Sequence, residues 1–331
     1  MKKILLLFFF SIFLFAGCGK YGEKDVINDF SKKIDDAKAY YIDGTLEIVN
    51  NDNVYNYDVE VAYKEKNYYR VSLTNTSNSH TQVILKNDDG VYVVTPALNK
   101  SFKFQSDWPY SNSQIYLLES LIQDIKDDDD RIFKETKDGY SFMTAVNYPN
   151  NRNLVKQKIN LSKKLKLKKV QVYNSDSVIC MTMEYKKIDY SPTFKKNYFS
   201  LNTVMKTYSV EDTVEQTGVL EESIYPLMIP SGTRLTNEEK IDKGNGERII
   251  MTFDGEKPFL LVEETANIEN EFTVVPTYGE PYQLMDTLGV MTNNSLNWTT
   301  NGIEYYLVSD VLNQEELVEV AQSIGVVQTM K

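Results

Sequence analysis

Between Ala39 and Phe104 the sequence is dominated by a period of two, and this alternation limits the fold more than any other feature. In "VYNYDVEVAYKEKNYYRVSL" the residues Val54, Asn56, Asp58 and Glu60 alternate with Tyr55, Tyr57, Val59 and Val61. Successive side chains on a strand point to opposite faces, so such a run folds as half-buried β-structure. Asn51-Asp52-Asn53, Lys64–Asn67 and Asn87-Asp88-Asp89-Gly90 interrupt it with turn residues, and the pattern reads as an antiparallel meander. The abundance of tyrosine, 23 residues, suits strands with one wet face. Further strands are expected near 131–136, 140–147, 154–161, 166–174, 177–188 and 195–209.

Helical periodicity intrudes at three places. Val26, Ile27, Phe30 and Ile34 share one face in "DVINDFSKKIDDAKAY". Ile115, Leu118, Leu121, Ile122 and Ile125 form a stripe that a Ser111/Ser113 cap would open. Near the end, Leu317, Val320, Ala321 and Ile324 point inward from a helix that begins at about Asn313 with acids in its first turn. Many strands with few helices between them indicate an α+β fold with neighbours paired in order. The stretch "SVEDTVEQTGVLEES", acidic and followed by Pro226 and Pro230, reads as a linker. The expected division is 1–17, 18–212 and 213–331, the last a small α+β domain closed by an Asn301-Gly302 hairpin.

The first of these segments is a leader. Lys2 and Lys3 precede an apolar run from Ile4 to Ala16 broken only by Ser11. At 13 residues the run falls short of the ~20 a spanning helix needs, which fits an export signal. Phe15-Ala16-Gly17-Cys18 looks like a bacterial lipobox. That resemblance implies cleavage before Cys18, attachment of diacylglycerol and palmitate to the new terminus, and residence at the extracytoplasmic face of the membrane.

Losing Lys2 and Lys3 leaves 34 basic against 47 acidic side chains, a mature charge of −13. So acidic a chain argues against nucleic-acid binding. Cys180 is the one other cysteine, so no disulfide framework exists; its apolar surroundings suggest a buried small hydrophobe. His80, the sole histidine, lies in the polar run "LTNTSNSHTQ" and reads as a loop residue. Neither a serine-hydrolase elbow, a Gly-rich phosphate loop nor a metal-ligand set is present. No cofactor, metal or catalytic residue is therefore expected. The acids Asp127–Asp130 lack the alternation and terminal Glu of a calcium loop and read as a solvated turn. Lys156, Lys158, Lys163, Lys164, Lys166, Lys168 and Lys169 admit two readings. They are either a patch for anionic headgroups or an acidic partner, or the wet face of strands with Leu165 and Leu167 inward.

What remains is amphipathic aromatic surface. On a half-closed sheet the candidate lining of an apolar trough comprises Tyr57, Val59, Val61, Tyr69, Val71, Val83, Leu85, Val93, Phe102, Phe104, Trp108, Ile115, Leu118, Leu121 and Ile122. The text "YYRVSL…TQVILKNDDGVYVVTPALNKSFKFQSDWP…SQIYLLESLIQDI" resembles lipoproteins of the LolA-like superfamily of the sporulation or germination type. The match covers residues 25–205 and is most specific from Val94-Thr95-Pro96-Ala97-Leu98 to Asp107-Trp108-Pro109. The resemblance implies a half-open curled antiparallel β-barrel with lid helices over an apolar cavity, and binding rather than chemistry. The C-terminal "WTTNGIEYYLVSDVLNQEELVEVAQSI" is similar to the small second domain of some such lipoproteins and of periplasmic regulators of anti-sigma factors.

Two functions are consistent with this: a membrane-anchored module that binds lipid acyl chains or lipoproteins, or a scaffold that docks an envelope enzyme or regulator. A cavity of several hundred Å³ would favour the first, and a trough packed solid the second.

Overall fold

The computed structural model describes residues 21–50, 53–106, 108–109, 112–149, 151–208, 219–244 and 246–324. Cys18, Asp107 and Ser111 lie outside the described residues.

Helix α1 (Glu23–Asp35) buries Val26, Ile27, Phe30 and Ile34. The Gly22 N–H donates to Asp25 Oδ2 (2.8 Å), and acids at its start and lysines at its end complement its dipole. The meander follows as β1 (Ala39–Asn50), β2 (Asn53–Lys64), β3 (Tyr68–Asn75), β4 (Thr81–Asn87), β5 (Gly90–Thr95) and β6 (Lys100–Phe104). Helix α2 (Leu118–Asp127) leads to a second meander of β7 (Ile132–Glu135), β8 (Gly139–Ala145), β9 (Leu154–Ser162), β10 (Leu167–Asn174) and β11 (Ile179–Asp189). Strands β1 and β11 pair antiparallel and weld the two meanders into one sheet.

After α3 (Leu201–Tyr208) come β12 (Thr233–Asp242), β13 (Glu247–Gly255), β14 (Phe259–Thr265), β15 (Thr273–Thr277) and β16 (Glu280–Gln283). The chain then runs through β17 (Leu288–Met291), β18 (Ser295–Thr300), β19 (Ile303–Val308) and α4 (Gln314–Ile324). The larger sheet has twelve strands in the order β15-β6-β5-β4-β3-β2-β1-β11-β10-β9-β8-β7, and the smaller has seven in the order β12-β13-β14-β19-β18-β17-β16. The protein is thus mostly β with four helices among the described residues, and neither sheet closes into a barrel. Strands before residue 212 all join the larger sheet. One later strand, β15, joins it too, pairing in parallel with β6.

Three cores form. The largest lies between α1, α2 and the inner face of the larger sheet. A second buries Ala62, Val83, Leu85, Tyr92 and Val94 of the outer face under Phe199, Val204 and Met205. The third joins α4 to the smaller sheet through Leu317, Val320, Ala321 and Ile324, with the Asn313 side chain capping the Glu316 N–H (3.0 Å). The β18–β19 hairpin turns at Asn301 (φ 49°) and Gly302 (φ 76°), the left-handed pair a two-residue turn demands.

Four local expectations are corrected. Of the strand expected over 195–209, the described residues 195–208 form none. Leu201, Val204, Met205 and Tyr208 repeat at helical spacing, and Ser200 Oγ accepts the Thr203 N–H at 3.3 Å, so the segment ends in α3. Helix α2 starts at Leu118 with Leu117 at its N-cap and no side-chain cap. Ser113 instead donates to Asp124 (3.0 Å) and accepts the Asn147 N–H (2.9 Å). Cys180 is half-buried rather than buried. The end of the expected linker is strapped to the smaller sheet, where the Leu220 N–H donates to Thr265 Oγ1 (3.0 Å) and Leu220 is buried.

Candidate functional site: the inner face of the larger sheet

The inner face is assembled by register. Tyr57, Val59 and Val61 of β2 sit beside Leu73 and Val71 of β3, and Val71 lies opposite Ile84 of β4, which lies opposite Val93 of β5. Cross-strand partners share a face. Tyr57, Val59, Val61, Tyr69, Val71, Val93, Phe104, Trp108, Ile115, Leu118, Leu121 and Ile122 therefore gather in one core, and the half-buried Phe102 packs against it. Val83 and Leu85 do not belong. They face the opposite side, under α3, and Ile84 is the inward residue of β4. The apolar run Val83-Ile84-Leu85 is buried on both faces, which erases the alternation that reveals sidedness elsewhere.

Aromatic contacts stiffen this face. Tyr40 stacks on Tyr63 (4.9 Å), Tyr63 meets Tyr69 (5.0 Å), and Tyr69 meets Trp108 edge to face (5.7 Å). The Tyr40 hydroxyl donates to Glu119 of α2 (2.6 Å), and burial raises both groups above their ordinary values. The Tyr185 hydroxyl donates to the Ile115 carbonyl and fixes the approach to α2.

Little space survives. A cavity of about 70 Å³ remains, bounded by Leu46, Ile48, Ile84, Trp108, Ile115, Tyr116, Leu154 and Met181 of the larger sheet and its helix connection. Its other wall is Pro281, Tyr282, Leu284, Met285 and Leu288 from the smaller sheet. Only Trp108 and Ile115 of the expected trough positions line it; the others on this face are packed into the core.

The segment that fills the mouth was not legible as part of this site. Leu288 and Val290 are buried in the larger sheet's core, and Met285 packs on it. Polar contacts hold the segment in place: the Tyr57 hydroxyl donates to the Met285 carbonyl (2.7 Å). Gln82 of β4 accepts the Leu288 N–H (2.6 Å) and returns its own amide N–H to the Leu288 carbonyl (3.3 Å). One side-chain amide thus imitates a strand partner. The only sequence signal was the apolar density of "PYQLMDTLGVM", which reads equally well as the core of its own sheet.

A second cleft, of about 230 Å³, lies beside α2, lined by Pro109 and Leu117 together with Glu119, Ser120, Gln123, Asp124, Asp127 and Asn147. Asp124 accepts from Ser113 (3.0 Å) and Gln157 (2.6 Å), and burial nevertheless pushes it up to about 6. Among the described residues no group of three or more His, Cys, Asp or Glu side chains is placed to hold a metal ion, and no helix is long and apolar enough to cross a membrane. His80 is exposed after β3, as expected. Asp128 caps its own turn, accepting the Asp130 N–H (3.0 Å), and also takes the Ala145 N–H (2.7 Å). The lysines of β9 and β10 project outward while Leu165 and Leu167 are buried. Lys163 pairs with Glu135 (2.7 Å) and Lys169 with Glu184 (2.5 Å).

Fold and site together define a mostly β protein with two open sheets, the larger sealed on its inner face by two helices and by a segment lent from the smaller. The chain is 35% identical to the sporulation protein YdcC of Bacillus subtilis (strain 168) over 333 residues, 98% of each chain, and it belongs to the family of that sporulation protein. No family model matches the sequence. Among solved structures, the MucA/MucB complex of Pseudomonas aeruginosa is similar at 13% identity over 90% of this chain and 96% of that one (TM-score 0.32). The CwlD amidase of Clostridioides difficile in complex with the GerS lipoprotein is similar at 19% identity, covering 53% and 99% (TM-score 0.32). A putative outer membrane lipoprotein-sorting protein domain from Vibrio parahaemolyticus is similar at 9% identity, covering 55% and 97% (TM-score 0.27).

Proposed function

We propose that this protein is a non-catalytic docking scaffold of the sporulating-cell envelope. In this reading acyl groups on Cys18 hold it at the extracytoplasmic face of the membrane, and it acts by binding an envelope enzyme or regulator rather than by carrying acyl chains. Membership of a sporulation protein family supports the setting. The filled inner face carries the choice between the two functions. A void of about 70 Å³ is well below the ~300–1,000 Å³ of ligand pockets. Tyr57, Gln82, Met285 and Leu288 spend the inner face on joining the two sheets. A two-sheet body with its inner face filled presents outer surfaces to partners.

The test is lipid extraction of the purified mature chain followed by mass spectrometry, with titration of a fluorescent fatty acid. The expected result is no stoichiometric lipid and no saturable binding. One equivalent of co-purifying phospholipid, displaced by the fatty acid, would restore the carrier reading.

A further inference from the structure

The lysine run, far along the chain, packs in the fold against α1, the helix that follows the anchor cysteine in the sequence. The β9–β10 turn, Ser162 to Lys166, is closed by three hydrogen bonds. The Ser162 N–H donates to the Lys166 carbonyl (2.8 Å), and the Leu165 and Lys166 N–H groups return to Ser162 (2.9 and 3.1 Å). Leu165 takes a left-handed backbone (φ 53°) with its side chain buried, which leaves Lys164 and Lys166 outside. Helix α1 clamps this turn, its Lys33 ammonium donating to the Leu165 carbonyl (3.3 Å). At the other end of α1 the Tyr21 ring lies 6.2 Å from Tyr140, and the Lys163 ammonium sits 4.5 Å over that same Tyr140 ring. Tyr21 is three residues from Cys18, a reach of at most ~10 Å.

Of the lysines of this turn, Lys163 is paired with Glu135 (2.7 Å). Lys164, Lys166 and Lys168 are exposed, and no acid pairs with them among the described residues. The neighbouring β7–β8 turn, aligned through Gly139 and Ser162, carries the exposed Lys137 beside the exposed Asp138 and adds no net charge. On a mature chain of net charge −13, an anionic bilayer repels the body as a whole, so a local cationic face decides which side approaches.

We propose that the lysine-bearing β9–β10 turn is a second membrane-binding element, docking on anionic phospholipid headgroups and setting the orientation of the anchored protein. The inference rests on acylation of Cys18 in the function proposed above. An acyl anchor holds the chain at the bilayer but leaves it free to swivel, whereas lysines near the surface each contribute about fivefold in partitioning and act only within a Debye length.

The experiment supplies the anchor chemically, so that failure of cellular acylation and failure of headgroup docking are told apart. The mature chain beginning at Cys18, with Cys180→Ser, is coupled through the Cys18 thiol to a maleimide phospholipid. The vesicles are either pure phosphatidylcholine or contain about 30% phosphatidylglycerol, and lysine acetylation rates are read by mass spectrometry. On the anionic vesicles Lys164, Lys166 and Lys168 are expected to react at least about fivefold more slowly, with recovery in about 0.5 M salt, while Lys240 on β12 is unchanged. In the K164E/K166E/K168E variant Lys137 should lose its protection. Equal rates on the two vesicles, protection on phosphatidylcholine as well, or equal protection of Lys240 would each overturn the proposal.

Discussion

Glu263 is the least expected residue of the smaller sheet, and its titration can be worked through. It lies on β14 between the buried Leu261 and Thr265 and is fully buried itself. One carboxyl oxygen accepts the Ile224 N–H (2.9 Å), and the other has no partner. Burial pushes the carboxyl from an ordinary 4.5 to about 8, with the nearby Glu238 adding to the rise. Between those two values the folded chain keeps a proton that the unfolded chain has released. Stability therefore falls as pH rises, by about 1.4 kcal/mol per unit, and levels off above pH 8. The full loss is about 5 kcal/mol, of which about 3 is already present at pH 7. Glu263→Gln keeps an acceptor for the Ile224 N–H and removes the titration. Urea unfolding of both proteins from pH 5 to 9 should give curves that nearly meet at pH 5. They should separate by about 3 kcal/mol at pH 7 and about 5 at pH 9, with the variant the more stable. The difference curve cancels the other carboxylates. Parallel curves would refute the reasoning, since a carboxyl ionised in both states contributes no slope.

Three further outcomes follow from the site. Leu288→Ala should cost about 3 kcal/mol in urea unfolding, because the buried side chain belongs to the larger sheet's core although its strand pairs in the smaller one. A loss under about 1 kcal/mol would mean the segment is only loosely seated. Tyr57→Phe removes the bond to the Met285 carbonyl (2.7 Å) and should cost about 1 kcal/mol by the same measurement, with the Phe ring preserving the packing. Cys18→Ala should abolish acyl attachment, so that the protein is unprocessed or leaves the membrane fraction on cell fractionation; normal processing and retention would sink the anchor reading.

Much of the architecture was legible locally. The faces of α1 and α4, the β1–β6 meander and the Asn301-Gly302 turn each follow from spacings and caps within a dozen residues, where periodicity and backbone preference act on neighbours in the chain. Helix α3 was equally local, with Ser200 as its cap, and was missed because "NYFSLNTVMKTY" also reads as a strand.

The rest was decided only in three dimensions. Which face Val83 and Leu85 present depends on α3, more than a hundred residues away, and no period survives in a run buried on both sides. That Gln82 receives Leu288, 206 residues later, and thereby closes the inner face, is a matter of which sheet edge meets which. The contact of the Ser162–Lys166 turn with Lys33 in the last turn of α1 likewise arises from the pairing of β8 with β9 and the packing of α1 over them. Local sequence sets which surfaces are apolar; what covers each one depends on long-range partners, because burial rewards any complementary surface the chain can bring to it.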